Sequence, residues 1–137
     1  MEMDLHTKIK LVHAIAPAAI AADTNGAAID TKDFESLEFA FHVGTAMVGG
    51  GFTVKLQESD TGAFGGEQND VATTDLLSAA LDVAIGDANK VFRIGYIDKK
   101  RYVRPVLTET GTITGGVIGC MAILGHPKVG PVPDQNT

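Results

Sequence analysis

The segment Ser36-Leu37-Glu38-Phe39-Ala40-Phe41-His42-Val43 is the most informative stretch of the chain, because apolar and polar side chains alternate along it. Every second residue, from Leu37 to Val43, is apolar and falls on one side, and Glu38, Ala40 and His42 fall on the other. A period of two is that of a β-strand with one buried face. The segment therefore predicts a strand whose inner face belongs to a hydrophobic core.

The same alternation recurs in other parts of the chain. Residues 52–57 repeat it after the triplet Gly49-Gly50-Gly51, which we expect to break the chain. Further strands are predicted at residues 8–15, 91–96, 102–108 and 117–124. The inward positions of these segments give the predicted core, which includes Leu37, Phe39, Phe41, Phe52, Val54, Leu56, Phe92, Ile94, Val103 and Leu107.

The connections are rich in turn residues. Residues 59–69 are polar and contain three glycines, and they predict a long loop. Tight turns are expected at residues 23–26, 97–100 and 111–116. Thr74 can cap a helix whose apolar face would run from Leu76 to Ala84, and Gly86 can end it. We expect at most this one short helix in a connection. Pro105 lacks an N–H group, which favours an edge position or a bulge in its strand.

Many short strands separated by glycine-rich loops predict an all-β protein, an antiparallel sandwich or barrel. The chain has 137 residues, which predicts a single domain over 1–137. An extended segment is expected at about residues 1–7. A proline-rich tail, expected to be extended and unpaired, covers about residues 127–137.

Residues 11–22 are the one candidate for a targeting signal, since an apolar run follows Lys8 and Lys10. Pro17 and His13 interrupt that run, so we interpret it as the end of the first strand and a loop. No run reaches the roughly 18 apolar residues of a membrane span, and no membrane partner is predicted.

The charge distribution points to one segment. Eleven Lys and Arg stand against seventeen Asp and Glu, a net charge of −6 that disfavours nonspecific nucleic-acid binding. The strands predicted at 91–96 and 102–108 are expected to form a hairpin, and within residues 90–104 six cations are opposed by Asp98 alone. Four of them are candidate contacts with an acidic partner protein or a second copy: Lys99, Lys100, Arg101 and Arg104. The alternative is a solvated loop whose charges pair within the chain.

Motifs for catalysis are missing from the sequence. There is no phosphate-binding glycine loop and no serine elbow. The four histidines (His6, His13, His42 and His126) are far apart, so no metal site is predicted, and no cofactor is expected. Cys120 lies in an apolar strand and is interpreted as a buried hydrophobic residue. Asp60, Glu67 and Asp70 flank the glycine loop, where they could bind calcium or simply be solvated.

The segment Gly95-Tyr96-Ile97-Asp98-Lys99-Lys100-Arg101-Tyr102-Val103-Arg104 resembles the most diagnostic segment of a family of tailed-bacteriophage capsid cement, or decoration, proteins. Residues 30–41, 52–60 and 122–127 match the family in the same order. The family has Gly where this chain has Asp98. Asp also tolerates turn geometry, so the turn is retained while its type changes.

This resemblance implies a jelly-roll fold, no catalytic activity and homodimers. It also implies that the partner is the major capsid protein of an HK97-like shell. The chain would then lie on the exterior of the virion capsid after synthesis in the host bacterial cytoplasm. Two alternatives remain: a carbohydrate-binding module on the phage surface, which usually displays more exposed aromatic rings, and a cupin-like metalloenzyme, which needs clustered ligands.

Overall fold

Two antiparallel β-sheets form the computed structural model, which describes residues 4–78, 81–83, 87–97 and 100–135. Within these residues the chain forms eleven strands: β1 (Ile9–Ala18), β2 (Thr24–Asn25), β3 (Ile29–Asp30), β4 (Phe34–Val43), β5 (Val48–Ser59), β6 (Asn69–Asp70), β7 (Leu76–Leu77), β8 (Leu81–Val83), β9 (Lys90–Tyr96), β10 (Tyr102–Thr114) and β11 (Ile118–Pro127). The predicted all-β class is confirmed.

The strands divide between the sheets in a regular way. The first sheet has the order β1-β11-β4-β9-β7. In the second sheet β2 and β3 pair with one side of β10, β5 pairs with its other side, and β6 and β8 pair with the far side of β5. The four longest-paired strands are therefore central: β11 and β4 in one sheet, and β10 and β5 in the other.

The core lies between the inner faces of the two sheets. Phe39 and Phe41 are fully buried, and Phe52 is 1% exposed. Nine of the ten predicted core residues are buried; Phe92 is partly buried and packs against the core cluster. The alternation therefore identified the inward positions because burial of one face imposes the period of two.

The predicted helix is wrong. Part of residues 74–86 forms a single 3-10 turn (Thr73–Asp75) followed by β7 and β8, while residues 79–80 and 84–86 lie outside the described part of the chain. Leu76 pairs with Tyr96 of β9, and Val83 pairs with Phe52 of β5. Backbone pairing with strands of both sheets therefore outweighs the helical periodicity. In the described residues no helix is long and apolar enough to cross a membrane.

Two glycine predictions need correction. Gly49-Gly50-Gly51 does not break the chain before β5 but belongs to it, and Gly111 belongs to β10. Gly49 has a φ of +84°, and a Cβ atom there would lie 2.4 Å from the Thr112 carbonyl oxygen. Glycine thus lets the two backbones stay paired where they bend and the register shifts. The turn itself follows at Gly115 and Gly116, whose φ angles are positive.

Pro105 sits within β10 at a break in the neighbouring strand. Tyr102 and Val103 pair with β3, and Val106 and Leu107 pair with β2. The Gly26 amide donates to the Pro105 carbonyl, 2.7 Å away, so the ring nitrogen faces this same side. The missing N–H group therefore falls at the gap between β2 and β3. The predicted edge position is wrong, because β10 is a central strand that pairs on both sides.

The C-terminal tail is not unpaired as predicted. The Gln135 side chain accepts a hydrogen bond from the Leu11 amide and donates one to the Leu11 carbonyl, each 2.8 Å long. The Val132 amide donates to the Thr7 carbonyl at 2.9 Å, and Val132 is 7% exposed. The tail thus forms hydrogen bonds with backbone groups of Thr7 and Leu11, and it buries the Val132 side chain. The prolines alone did not indicate these contacts.

Truncating Phe39 to alanine should lower the free energy of unfolding by about 3–5 kcal/mol, because it empties a fully buried site. Urea denaturation measures this loss. Phe92→Ala is the matched control and should cost less, since Phe92 already contacts solvent. An equal loss for the two variants would contradict the inward assignment of Phe39.

Replacing Gln135 with alanine should accelerate hydrogen exchange of the Leu11 amide, because that N–H group loses its acceptor. Exchange of the Ala122 amide, at the centre of the first sheet, is the internal reference. Unchanged exchange at Leu11 would mean that the tail does not protect this edge in solution.

Candidate interaction surfaces

The basic segment is a connection between the two sheets and not a hairpin within one sheet. β9 ends at Tyr96 in the first sheet, and β10 begins at Tyr102 in the second. The inward side chains of the two strands, such as Ile94 and Val103, therefore face the common core from opposite sides. We call residues 97–104 the basic corner; Asp98 and Lys99 lie outside the described residues.

Two of the predicted contact residues are paired with carboxylates of the same chain. Lys100 Nζ lies 2.7 Å from Asp60 Oδ2. Arg101 donates two hydrogen bonds to Asp30, each 2.9 Å long, and these bonds are the main reason that the pKa of Asp30 is lowered. Both pairs remain open to solvent and thus contribute little to stability. The alternative in which the charges pair within the chain therefore holds for Lys100 and Arg101. Their role in docking stays a prediction.

Arg104 points outward from the second sheet, on the side opposite buried Val103, as the alternation predicted. Its Nε and a terminal nitrogen donate to Gln57 Oε1 at 3.0 and 2.8 Å. The guanidinium also lies 4.4 Å from the ring centre of Phe64. Gln57 in turn donates to Asp70, which pairs with Lys55. The structure therefore places Arg104 in a polar network on this outer face.

The loop before β6 is folded around the carboxylate of Glu67. This carboxylate accepts hydrogen bonds from the Thr61 hydroxyl, the Ser59 hydroxyl at 3.1 Å and the Gly65 amide at 2.8 Å. These donors lower the pKa of Glu67 to about 2. The bonds hold the loop in the shape that presents Phe64 to Arg104.

The three carboxylates that were considered for calcium do not converge. Asp60 binds Lys100, Glu67 binds its own loop, and Asp70 binds Lys55 and Gln57. In the part of the chain that the structure describes, no three His, Cys, Asp or Glu side chains are grouped as metal ligands. Each acidic side chain is instead engaged with a neighbour on the second sheet or its loop.

A buried bond between the sheets lies behind the basic corner. The Tyr96 hydroxyl, on β9, donates to Glu58 Oε2 of β5 at 2.7 Å, and it accepts a hydrogen bond from the Lys100 amide at 3.1 Å. Glu58 is 8% exposed. The role of Glu58 was not predicted, although its position in the alternation indicates an inward side chain. Glu58 continues the inward series Phe52, Val54 and Leu56. A carboxylate at an inward position signals a buried polar partner.

The outward faces of the two sheets differ in chemistry. The second sheet presents polar side chains on its central strands, including Thr53, Lys55, Gln57, Arg104 and Thr108. The first sheet presents an apolar outer face formed by Leu11, Ala40, Leu77, Val91, Met121 and Ile123. Val91 is 66% exposed and Leu77 57%. Exposed apolar side chains grouped in this way mark interaction surfaces.

The apolar outer face was not predicted either, although the sequence contains a pattern that indicates it. In β1 and β11 apolar residues occupy both phases of the alternation, as Leu11 and Val12 or Ile123 and Leu124 show. Strands that are apolar in both phases are typical of sheets covered on both sides.

The remaining candidates for chemistry are separated. Cys120 is 5% exposed, and burial raises the pKa of its thiol, so the thiol stays protonated as the sequence predicted for a buried residue. His126 Nδ1 lies 2.8 Å from the Ser36 hydroxyl, whereas His42 is exposed on the outer face of β4. His6 approaches Asp134 at 4.0 Å. The absence of a cofactor and of catalysis stays a prediction.

Acidification should loosen the loop around Glu67 only at low pH. The folded pKa of about 2 lies below the ordinary value of 4.5, so the carboxylate stabilises the folded loop above pH 4.5 and loses this effect as the pH falls toward 2. An NMR titration of the Glu67 carboxyl and of the Gly65 amide measures the midpoint. Thr61→Ala removes one donor and should raise the midpoint, and a wild-type midpoint near 4.5 would contradict the described hydrogen bonds.

The chain matches no protein-family model, no curated protein and no solved structure. The likeness to capsid cement proteins therefore remains a resemblance of short segments.

Proposed function

We propose that this chain is a structural virion protein that binds the outside of a tailed-phage capsid and cements a shell built of an HK97-like major capsid protein. The observation that carries the proposal is the position of residues 95–104, the segment most similar to that family. It forms the basic corner between the sheets and is anchored from behind by the buried bond between Tyr96 and Glu58. A recognition segment needs such a rigid support.

We further propose that the sandwich is a jelly roll. The strand order supports this connectivity if the short strands β2 and β3 count as one interrupted strand and β6 and β8 as another. The chain then passes from one sheet to the other at almost every connection: β1, β4, β7, β9 and β11 belong to the first sheet, and the other strands belong to the second. Jelly rolls of eight strands occur in viral capsid proteins, lectins and cupins.

Cementing follows from selective binding to the assembled shell. A protein that binds assembled shells but not free subunits shifts the assembly equilibrium toward intact shells. Many identical weak contacts on one lattice then act together. The net charge of −6 suits a position outside the shell, away from packaged nucleic acid. Synthesis in the host bacterial cytoplasm agrees with a chain whose one cysteine forms no disulfide.

The internal ion pairs of the basic corner are compatible with docking. A guanidinium carries five N–H donors in a fixed plane. Arg101 uses two nitrogens to bind Asp30, which leaves donors on its outer edge, and its side chain is 49% exposed. Asp30 thus orients Arg101 toward a carboxylate on the capsid. Lys99, Lys100 and Arg104 remain the other proposed contacts.

Co-sedimentation with empty phage heads tests this role. Arg101→Glu and Arg104→Glu should weaken binding, and added salt should weaken wild-type binding, because a desolvated Arg–carboxylate contact costs about 2–5 kcal/mol when broken. Lys10→Glu makes the same change of charge on exposed β1 and should bind normally. Asp30→Ala/Arg101→Glu removes the repulsion within the variant. If this folded double variant binds like wild type at low and high salt, the basic corner is not the docking site.

The carbohydrate-binding alternative rests on two half-buried rings, Phe64 and Tyr102, beside Arg104 and Gln57. Both rings already have neighbours: Arg104 lies over Phe64, and Arg101 lies 5.1 Å from the ring centre of Tyr102. Stacking on a sugar would displace these groups, which makes this the weaker proposal. A glycan array distinguishes it, and metal analysis of the purified protein tests the cupin-like alternative.

A further inference from the structure

The outer face of the first sheet contains three adjacent rows of side chains that cross the strands. One row runs Leu11, Ile123, Glu38, Gly95 and Leu77, over β1, β11, β4, β9 and β7. The next row runs His13, Met121, Ala40 and Arg93. A third row follows with Gly119, His42 and Val91. These rows are apolar apart from Glu38, Arg93 and the imidazoles of His13 and His42.

Glu38 sits in an apolar setting on this face. Its carboxylate lies across Gly95, where an added Cβ would be 2.8 Å from Glu38 Oε2 and 2.9 Å from the Leu77 Cβ. Burial raises the pKa of Glu38, and the charge of Arg93 opposes that rise. In the described part of the chain neither Glu38 nor Arg93 has a side-chain hydrogen bond or an ion pair within 4.0 Å. A half-covered carboxylate and a nearby cation are therefore both available to an outside partner.

We infer that this face binds the same face of a second copy of the chain, with Arg93 of each copy paired to Glu38 of the partner subunit. The inference deepens the proposed function: it rests on the homodimer that the resemblance to cement proteins implies, and it assigns the dimer surface. A two-fold interface brings residue i of one copy to residue j of the other and j to i. One carboxylate and one guanidinium, set among mainly apolar side chains, are complementary to themselves under that symmetry.

The edges of the sheets are less suited to dimerisation than this face. The C-terminal tail binds the Thr7 carbonyl just before β1 and the backbone of Leu11 within it. At the other edge of the first sheet, β7 has only two residues. The second sheet is bordered by the short strands β2, β3, β6 and β8, which offer only two or three residues each. Short or covered edges resist edge-to-edge pairing. A partner of strongly single-signed charge would leave either Glu38 or Arg93 opposed by a like charge.

Charge reversal provides a test that distinguishes contacts between copies from contacts within one. Glu38→Arg alone sets two cations together across the interface, and Arg93→Glu alone sets two anions together. Each variant should therefore self-associate at least about tenfold more weakly than wild type, by sedimentation velocity. Mixing the two variants creates two opposite-charge contacts at once. The mixture should form a one-to-one heterodimer with an affinity near that of the wild-type dimer.

The apolar part of the face has its own matched pair of variants. Met121→Asp places a charge on central β11 of the first sheet and should also weaken the dimer at least about tenfold. Thr108→Asp places the same charge on exposed central β10 of the second sheet and should leave the dimer unchanged. Circular dichroism verifies that every variant is folded.

A wild-type monomer at micromolar concentration would overturn this inference, and so would a dimer that Met121→Asp leaves intact or a mixture that does not recover association. These outcomes are separate from the proposed function. A monomer that still binds phage heads overturns the dimer surface alone, and a dimer formed as described that ignores phage heads overturns the capsid proposal alone.

Discussion

The packing of the two inner sheet faces against each other is the constraint on which the rest of the structure depends. Phe39 and Phe41 of β4 belong to the same buried cluster as Phe52 of β5, and β4 and β5 are central strands of opposite sheets. Each such strand must keep one phase of its alternation apolar. The connections then have to pass from sheet to sheet, and one of these passages carries the cluster of cations.

The local alternation of apolar and polar residues predicts the central strands. It does not predict elements whose conformation depends on pairing with residues distant in the sequence. The alternation in β4 is imposed by burial and is visible in a few residues. The apolar spacing near Leu76 also fits a helix, but Leu76 pairs with Tyr96, which lies 20 residues further along the chain. The side-chain amide of Gln135 binds β1 across 124 residues. No local rule contains such contacts, so the tail and the short edge strands could not be placed from the sequence.

The basic corner was partly predictable. Its cations are adjacent in sequence, but their carboxylates are not: Asp30 lies 71 residues from Arg101, and Asp60 lies 40 residues from Lys100. The local sequence therefore shows an excess of positive charge at this segment. The folded chain brings Asp30 and Asp60 to Arg101 and Lys100 and pairs these two charges. The apolar outer face of the first sheet shows the converse. Its residues are scattered over β1, β4, β7, β9 and β11, and only the register brings them together.

We propose two interaction surfaces for this molecule, a basic corner that binds the capsid and a mainly apolar sheet face that binds a second copy. The central claim is that binding stabilises the assembled shell. Thermal disassembly of empty phage heads, followed by light scattering as the protein is added, tests it most directly. A protein that binds shells and not subunits should raise the disassembly temperature as its concentration increases, until the sites are full. A disassembly temperature that stays constant while the protein demonstrably saturates the heads would contradict the account.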